Sequence, residues 1–196
     1  MSSMSGFEDE KQTIRKQLLA KRLEHSKPAD FSLFALELLE KTSGLVASYW
    51  STDAEPETKK INDYLASLDR LVLPAISGPN LIWKKPEKLI PSSFGIMAPV
   101  GEIVAVDKLE LVLAPALAVS KNGTRLGKGG GYYDRALSGF KGDVYPLVFE
   151  SEFVDYLPRE AHDKSVQGVI TEKDSGFSSP SVGAYCPVSP DRCYQN

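Results

Sequence analysis

The order of apolar and amphipathic segments predicts an α/β fold, a single three-layer α/β/α domain with a mainly parallel, open sheet. Three observations lead there. Short apolar runs at 45–50, 71–74, 111–119 and 143–149 alternate with stretches whose apolar residues recur at helical spacing. The length of 196 residues suits one domain with a full core. A glycine-rich loop follows the longest apolar run, beyond the end of a strand, which is where open parallel sheets bind their ligands.

The elements follow in order. Residues 7–24 read as a helix, with Ile14 and Leu18 one turn apart and Leu19 and Leu23 likewise. Lys11, Arg15 and Arg22 fall on another stripe, within about 40° of each other at ~100° per residue. Read alone, such a stripe is a solvated face. Residues 32–43 form a second helical stretch (Leu33, Phe34, Leu38, Leu39) with Gly44 as its stop. A buried strand is expected at 45–50. Glu55-Pro56-Glu57-Thr58 opens a third helix with Ile61, Leu65 and Leu68 on its apolar face. The next strand, 71–74, precedes a Pro- and Lys-rich stretch, 75–102, in which only Leu81-Ile82-Trp83 reads as a strand. The strongest strand is 111–119, followed by one at 143–149, a short helix at 151–157 and a last strand at 166–171. The domain then spans 1–172, and 173–196 is an irregular tail rich in serine and proline.

Composition excludes several function classes. The net charge is 23 − 26 = −3, which does not suit a general binder of nucleic acid or membrane surfaces. No apolar run reaches transmembrane length. The first residues lack the basic and apolar regions of a signal peptide. Cys186 and Cys193 both lie in the tail and make neither a disulfide framework nor a four-ligand metal pattern. A cytoplasmic, monomeric protein is expected, with no nucleic-acid or membrane partner.

The chemistry concentrates between Arg125 and Arg135, in Arg-Leu-Gly-Lys-Gly-Gly-Gly-Tyr-Tyr-Asp-Arg. Gly127, Gly129, Gly130 and Gly131 leave backbone bare, so successive N–H groups can face one anion. Arg125, Lys128 and Arg135 add positive charge, and Tyr132 onward can open a helix whose N-terminus favours phosphate. Two standard motifs are excluded. A Walker A loop requires Ser or Thr after Gly127-Lys128, where Gly129 stands, and Gly123 lies one place too late to begin it. A dinucleotide fingerprint starting at Gly127 and Gly129 would place its third glycine at Tyr132.

These residues resemble the 5-formyltetrahydrofolate cyclo-ligase family, also called 5,10-methenyltetrahydrofolate synthetases. The family signature stands here as Gly123-Thr-Arg-Leu-Gly-Lys-Gly-Gly-Gly-Tyr-Tyr-Asp134. Three further blocks match in order: Lys11 to Arg15, Glu55-Pro-Glu-Thr58 and His162-Asp163. The resemblance implies ATP as co-substrate, Mg2+ as cofactor and 5-formyltetrahydrofolate as substrate, converted to 5,10-methenyltetrahydrofolate with ADP and phosphate released. It also implies roles. Lys11, Arg15 and the loop Arg125, Leu126, Gly127, Lys128, Gly129, Gly130, Gly131, Tyr132 and Tyr133 would bind ATP. Lys128 would be the catalytic cation. Trp50, Glu55 and the segment from Lys128 to Tyr132 would contact the folate, with Phe94 in a bordering loop. Asp134 and Asp163 would hold the metal. Read without the resemblance, Trp50 is a strand-end core residue, Glu55 and Asp134 are acids at helix N-termini, and Asp163 is a surface acid. The chain departs from the family at Val119-Ser120, where relatives have Phe and Asp, and at Gln167, where relatives have Asp. These departures keep a second reading open, a nucleotide-binding relative that has lost the folate reaction.

Overall fold

A computed structural model of the chain describes residues 4–24, 29–52, 54–92, 96–159 and 165–173. Its centre is a six-stranded sheet in the order β10-β7-β1-β2-β3-β6. The strands are β1 (Leu45–Ala47), β2 (Leu71–Ser77), β3 (Asn80–Lys84), β6 (Ile103–Val104), β7 (Leu109–Pro115) and β10 (Asp143–Leu147). β10, β7, β1 and β2 are mutually parallel, and β3 and β6 extend the sheet antiparallel. The expected α/β class and mainly parallel sheet are therefore present.

Alternation along the parallel strands splits the interior into two cores. Val46, Leu71, Leu73, Leu111 and Leu113 face helices α2 (Ser32–Leu39) and α3 (Lys59–Ser67), where Phe31, Leu38, Leu39, Ile61 and Leu65 meet them. Ala47, Val72, Val112, Ala114 and Val144 face the other way, onto Leu137 and Phe140 just beyond α4 (Tyr132–Ala136). Ile61 and Leu65 are fully buried, and burial of each side chain contributes about 1.5–3 kcal/mol. Leu68, read as part of the same face, is exposed because α3 ends before it.

α2 is shorter than its pattern. It stops at Leu39, where the Arg70 guanidinium donates to the carbonyls of Leu39 (3.3 Å) and Gly44 (2.8 Å) and to Thr42 Oγ1 (2.6 Å). At its start, Asp30 accepts from the Ser32 N–H (2.9 Å) and Oγ (2.6 Å) and pairs with Lys60. The Lys60 bond, then the Ser32 bonds, hold the Asp30 carboxyl down at about 2, from its ordinary 3.8. A depressed acid stabilises the fold above its unfolded pKa, and that contribution is lost as pH falls through the folded value. Asp30→Asn should therefore lower the melting temperature modestly at neutral pH, with the difference from wild type closing between about pH 4 and pH 2. A melting series across that range checks it.

Three local expectations are overturned. The run at 111–119 is two strands, because the chain leaves the main sheet after Pro115 and re-enters a second sheet as β8 (Ala118–Ser120), beside β9 (Arg125–Leu126) and β11 (Phe153–Val154). The carbonyls freed at the break are taken by arginines: Pro115 O accepts from Arg125 Nη1 (3.2 Å) and Ala116 O from Arg22 Nη2 (2.5 Å). Residues 151–157 hold the end of a 3-10 turn, Glu150–Glu152, and β11 rather than an α-helix. Residues 166–171 form no strand, running beside β10 with one bridge at Leu147–Ile170. The stretch 75–102 is richer than its sequence pattern: β2 continues to Ser77, β3 returns, and β4 (Lys88–Pro91) pairs with β5 (Met97–Val100).

Helix α1 (Met4–Glu24) lies on the second sheet, with Leu18 packed against Leu117, Ala118, Leu126 and Leu157. Its buried stripe is the cationic one. Lys11, Leu18 and Arg22 are buried, while Leu19 is exposed and Leu23 is 81 % exposed. No helix among the described residues is long and apolar enough to cross a membrane.

Candidate active site

The carboxyl ends of β1, β2 and β7 open into a cavity of about 640 Å³, closed on its far side by α1 and the glycine loop. Its wall carries Lys11, Arg15, Trp50, Glu55 and every residue from Arg125 to Asp134. Lys11 and Asp134, 123 positions apart in sequence, thus meet in one place. Asp163, Phe94 and His162 lie outside the described residues.

Each wall is fixed by local structure. The β1–α3 connection is stapled to the end of β1: Thr58 Oγ1 (2.6 Å) and Asn62 Nδ2 (2.9 Å) both donate to Tyr49 O, and Tyr49 Oη donates to Pro56 O (3.1 Å). That staple holds Trp50 at the cavity edge, partly packed on the α2–α3 core. Thr52 donates from its N–H (2.9 Å) and Oγ1 (3.0 Å) to Glu55 Oε2, so the carboxylate is aimed rather than trailing in solvent. Glu55 is not the helix-cap acid that its place in the sequence suggests. Thr58 takes the N-cap position of α3.

The glycine loop is braced from below and from the side. Arg125, buried, donates to Asp134 Oδ1 (2.8 Å) and lies 5.6 Å from the centre of the Tyr133 ring. Gly131, at φ 62°, occupies the N-cap position of α4. Arg15 Nε donates to Gly127 O (3.1 Å), and its Nη1 pairs with Glu8 (2.7 Å). Arg135 does not line the cavity. It bonds Pro79 O (2.8 Å) and Gly130 O (3.0 Å) and stacks at 5.1 Å on Tyr132, bracing the loop against the β2–β3 turn.

Lys128 spans the cavity. Its ammonium reaches Glu55 Oε1 at 2.6 Å, with the lysine side chain 53 % and the glutamate 8 % exposed. The exposed partner is the cation, so an incoming anion can draw Lys128 toward itself while Glu55 stays in the wall. Burial pushes the phenols of Tyr49 and Tyr133 well above their usual range, so both remain neutral hydroxyls. The Tyr133 hydroxyl is buried without a hydrogen-bond partner, and its ring meets Trp83 edge-on at 5.9 Å.

Sequence reasoning missed the apolar side of the cavity. Pro74, Ile76, Leu81, Ile96, Met97 and Ala98 line it, together with Glu8 and Tyr49. Ile76 was the recoverable one, since the apolar run of β2 continues beyond Pro74. Both departures from the family pattern sit away from the cavity wall. Ser120, buried at the end of β8, bonds Asn122, and Gln167 Oε1 accepts the Val144 N–H at 2.8 Å along β10.

A cavity with a cationic glycine loop at one end and a carboxylate between aromatic and apolar walls at the other suits a polyanion beside a flat, N–H-bearing ring. Residues 7–172 match the profile of the 5-formyltetrahydrofolate cyclo-ligase family. The chain belongs to that family. Among cyclo-ligases, the Mycolicibacterium smegmatis 5-formyltetrahydrofolate cyclo-ligase is 32% identical over 148 residues, covering 68% of this chain and 76% of the relative. The Haemophilus influenzae cyclo-ligase is 28% identical over 164 residues, 76% of this chain and 87% of the relative. The solution structure of Aquifex aeolicus 5,10-methenyltetrahydrofolate synthetase superposes with a TM-score of 0.73 at 31% identity, over 84% of this chain and 90% of that one. Within the cyclo-ligase signature, Arg125 to Asp134 thus lie along the β9–α4 wall of the cavity.

Among the described residues no three His, Cys, Asp or Glu side chains gather as a metal-ligand set. Mg2+ does not require one, since it takes one or two carboxylates and fills its octahedron with water and phosphate oxygens. Asp134, partly exposed on the cavity wall beside the loop, fits that need.

Proposed function

We propose that this chain converts 5-formyltetrahydrofolate to 5,10-methenyltetrahydrofolate, using ATP and releasing ADP and phosphate. The observation that carries the reading is the Lys128–Glu55 contact of 2.6 Å, which joins the phosphate-type end of one cavity to its ring-type end. A phosphoryl donor and a folate can meet there.

The chemistry follows from the substrate. An N-formyl group is an amide, with a poorly electrophilic carbon and an oxygen that does not leave. Transfer of the γ-phosphoryl group to that oxygen, with ADP departing, makes it a leaving group. The N10 lone pair then attacks the formyl carbon, the N10 proton is lost, and phosphate leaves as the ring closes. Such a sequence asks the protein for position and charge. Lys11, Arg15 and the loop N–H groups bind the phosphates. Lys128 stabilises charge on the transferring group. Glu55 accepts N–H bonds from the pterin, whose flat faces rest on Trp50 and the apolar wall, with Tyr132 beside it. Tyr133 adds its ring to the wall of the phosphate end. Asp134 would hold Mg2+, which would neutralise phosphate charge when bound, and the family pattern would add Asp163.

The test is direct. The protein is mixed with 5-formyltetrahydrofolate, ATP and Mg2+, and the methenyl chromophore is followed. Product should form only when ATP is present. No product at high enzyme concentration would overturn the reading and favour a nucleotide-binding relative without the folate reaction; ATP-independent product would overturn the mechanism.

A further inference from the structure

Arg22 takes no part in the reaction proposed above, and it is the most deeply held cation among the described residues. Its side chain is 1 % exposed and that of Glu152, 130 residues away, is 3 % exposed. Nε donates to Glu152 Oε1 (2.6 Å) and Nη2 to Oε2 (2.7 Å), a two-pronged contact, and Nη2 also donates to Ala116 O (2.5 Å). The guanidinium sits 5.7 Å from the centre of the Phe149 ring. Glu152 Oε2 accepts the Phe149 N–H as well (3.0 Å). Both charged groups are thus well supplied with partners, as an ion pair inside a protein must be.

What this pair touches gives it a role. Ala116 lines the cavity, and Pro115 beside it gives its carbonyl to Arg125, the arginine under the glycine loop. Arg22 and Arg125 therefore grip the same two-residue turn, one from α1 and one from the loop. Arg22, Arg15 and Lys11 share one stripe of α1, seven and eleven residues apart, roughly 10 and 16 Å at 1.5 Å per residue. Among the described side chains of the helix the apolar seat is small: Leu18 and half-buried Ile14 rest on the second sheet, while Leu19 and Leu23 face outward. Apolar contact is non-directional and tolerates sliding and rotation. A two-pronged arginine–carboxylate contact does not.

We propose that the Arg22–Glu152 pair is a positioning device for the nucleotide end of the site, setting the height and rotation of α1 so that Lys11 and Arg15 meet the phosphates. The inference rests on the reading of that end as a nucleotide site. The proposed folate contacts come mainly from Trp50, Glu55 and the β2–β5 wall, none of which hydrogen-bonds the pair, although its two charges act on nearby Tyr49, so ATP binding should respond more strongly than folate binding.

The test uses two conservative variants, Arg22→Lys and Glu152→Gln, each keeping a polar partner for its neighbours. Dissociation constants for ATP and for 5-formyltetrahydrofolate are measured separately by calorimetry. We expect ATP binding about tenfold weaker or more, corresponding to 1.4 kcal/mol, with 5-formyltetrahydrofolate affinity within twofold of wild type. A merely structural pair would shift both constants by one common factor, because it would act only through the folded fraction. That result, or unchanged ATP affinity in a folded variant, overturns the inference. Either variant is sufficient if the other does not fold. Wild-type protein that binds no ATP would overturn the nucleotide reading and this inference together.

Discussion

Lys128→Ala should lower kcat about 10²–10³-fold, the loss found when one preorganised donor to developing charge is removed. The Lys128 side chain is more than half exposed, and Glu55 holds its ammonium at the cavity wall. In the proposed reaction, that is where phosphate charge would grow during transfer. The folate dissociation constant should change much less, because Glu55 keeps both Thr52 bonds when Lys128 is gone. Steady-state kinetics with each substrate varied in turn separates these effects. Unchanged kcat with lost folate affinity would place Lys128 in the ring pocket instead. Glu55→Gln should show the complementary pattern, a higher KM for folate with a smaller change for ATP.

Gly129→Val is expected to raise the KM for ATP at least tenfold. Gly129 has φ 98°, a region a β-branched residue enters only under strain. A Cβ there would sit 3.5 Å from the Arg15 guanidinium, which holds the carbonyl of Gly127. The backbone strain, about 1–3 kcal/mol, can be relieved only by moving the loop, and the valine methyls beyond that ordinary Cβ contact would press on Arg15; both belong to the proposed phosphate end. Gly139→Val is the matched control. Gly139 has φ 79° with open space around it, so it incurs backbone strain without touching the site. Both variants should melt a few degrees lower, and only the first should lose ATP affinity. Equal kinetic effects in the two would show that the loss is one of general stability.

The sequence was most readable where one local rule operated. Ile61 and Leu65 at helical spacing are core, and the apolar runs at 45–50, 71–74 and 143–149 all contain parallel strands. Arg125 to Arg135 read as a ligand loop because three cations and paired tyrosines have little use in a plain turn, and all of it except Arg135 lines the cavity. Legibility failed where distant partners decide the outcome. The α1 stripe of Lys11, Arg15 and Arg22 reads as solvated, yet Lys11 and Arg22 are buried, and the partners of Arg22, Glu152 and the carbonyl of Ala116, are invisible to helical periodicity. Leu19 and Leu23 match an apolar pattern and lie exposed for the same reason. The run at 111–119 hid a change of sheet, because strand propensity does not register two arginines waiting for the carbonyls of Pro115 and Ala116. Asp134 read as a metal ligand or a helix acid, and the described structure adds a third occupation, the Arg125 guanidinium. The Lys128–Glu55 contact needed the fold, since 73 residues separate its ends.

The Arg22–Glu152 contact also has a consequence in time. It closes a span of 130 residues around nearly the whole described chain. A nascent polypeptide can make the α2–α3 layer and β1–β2 pairing while its later part is still being synthesised. It cannot seat α1 until the turn at Glu150–Glu152 has emerged. Contacts of such sequence separation carry a large loop-closure entropy and form late. The phosphate end of the cavity should be the last part of the molecule to acquire its shape, and a chain stopped short of Glu152 should fold much of its sheet without a nucleotide site.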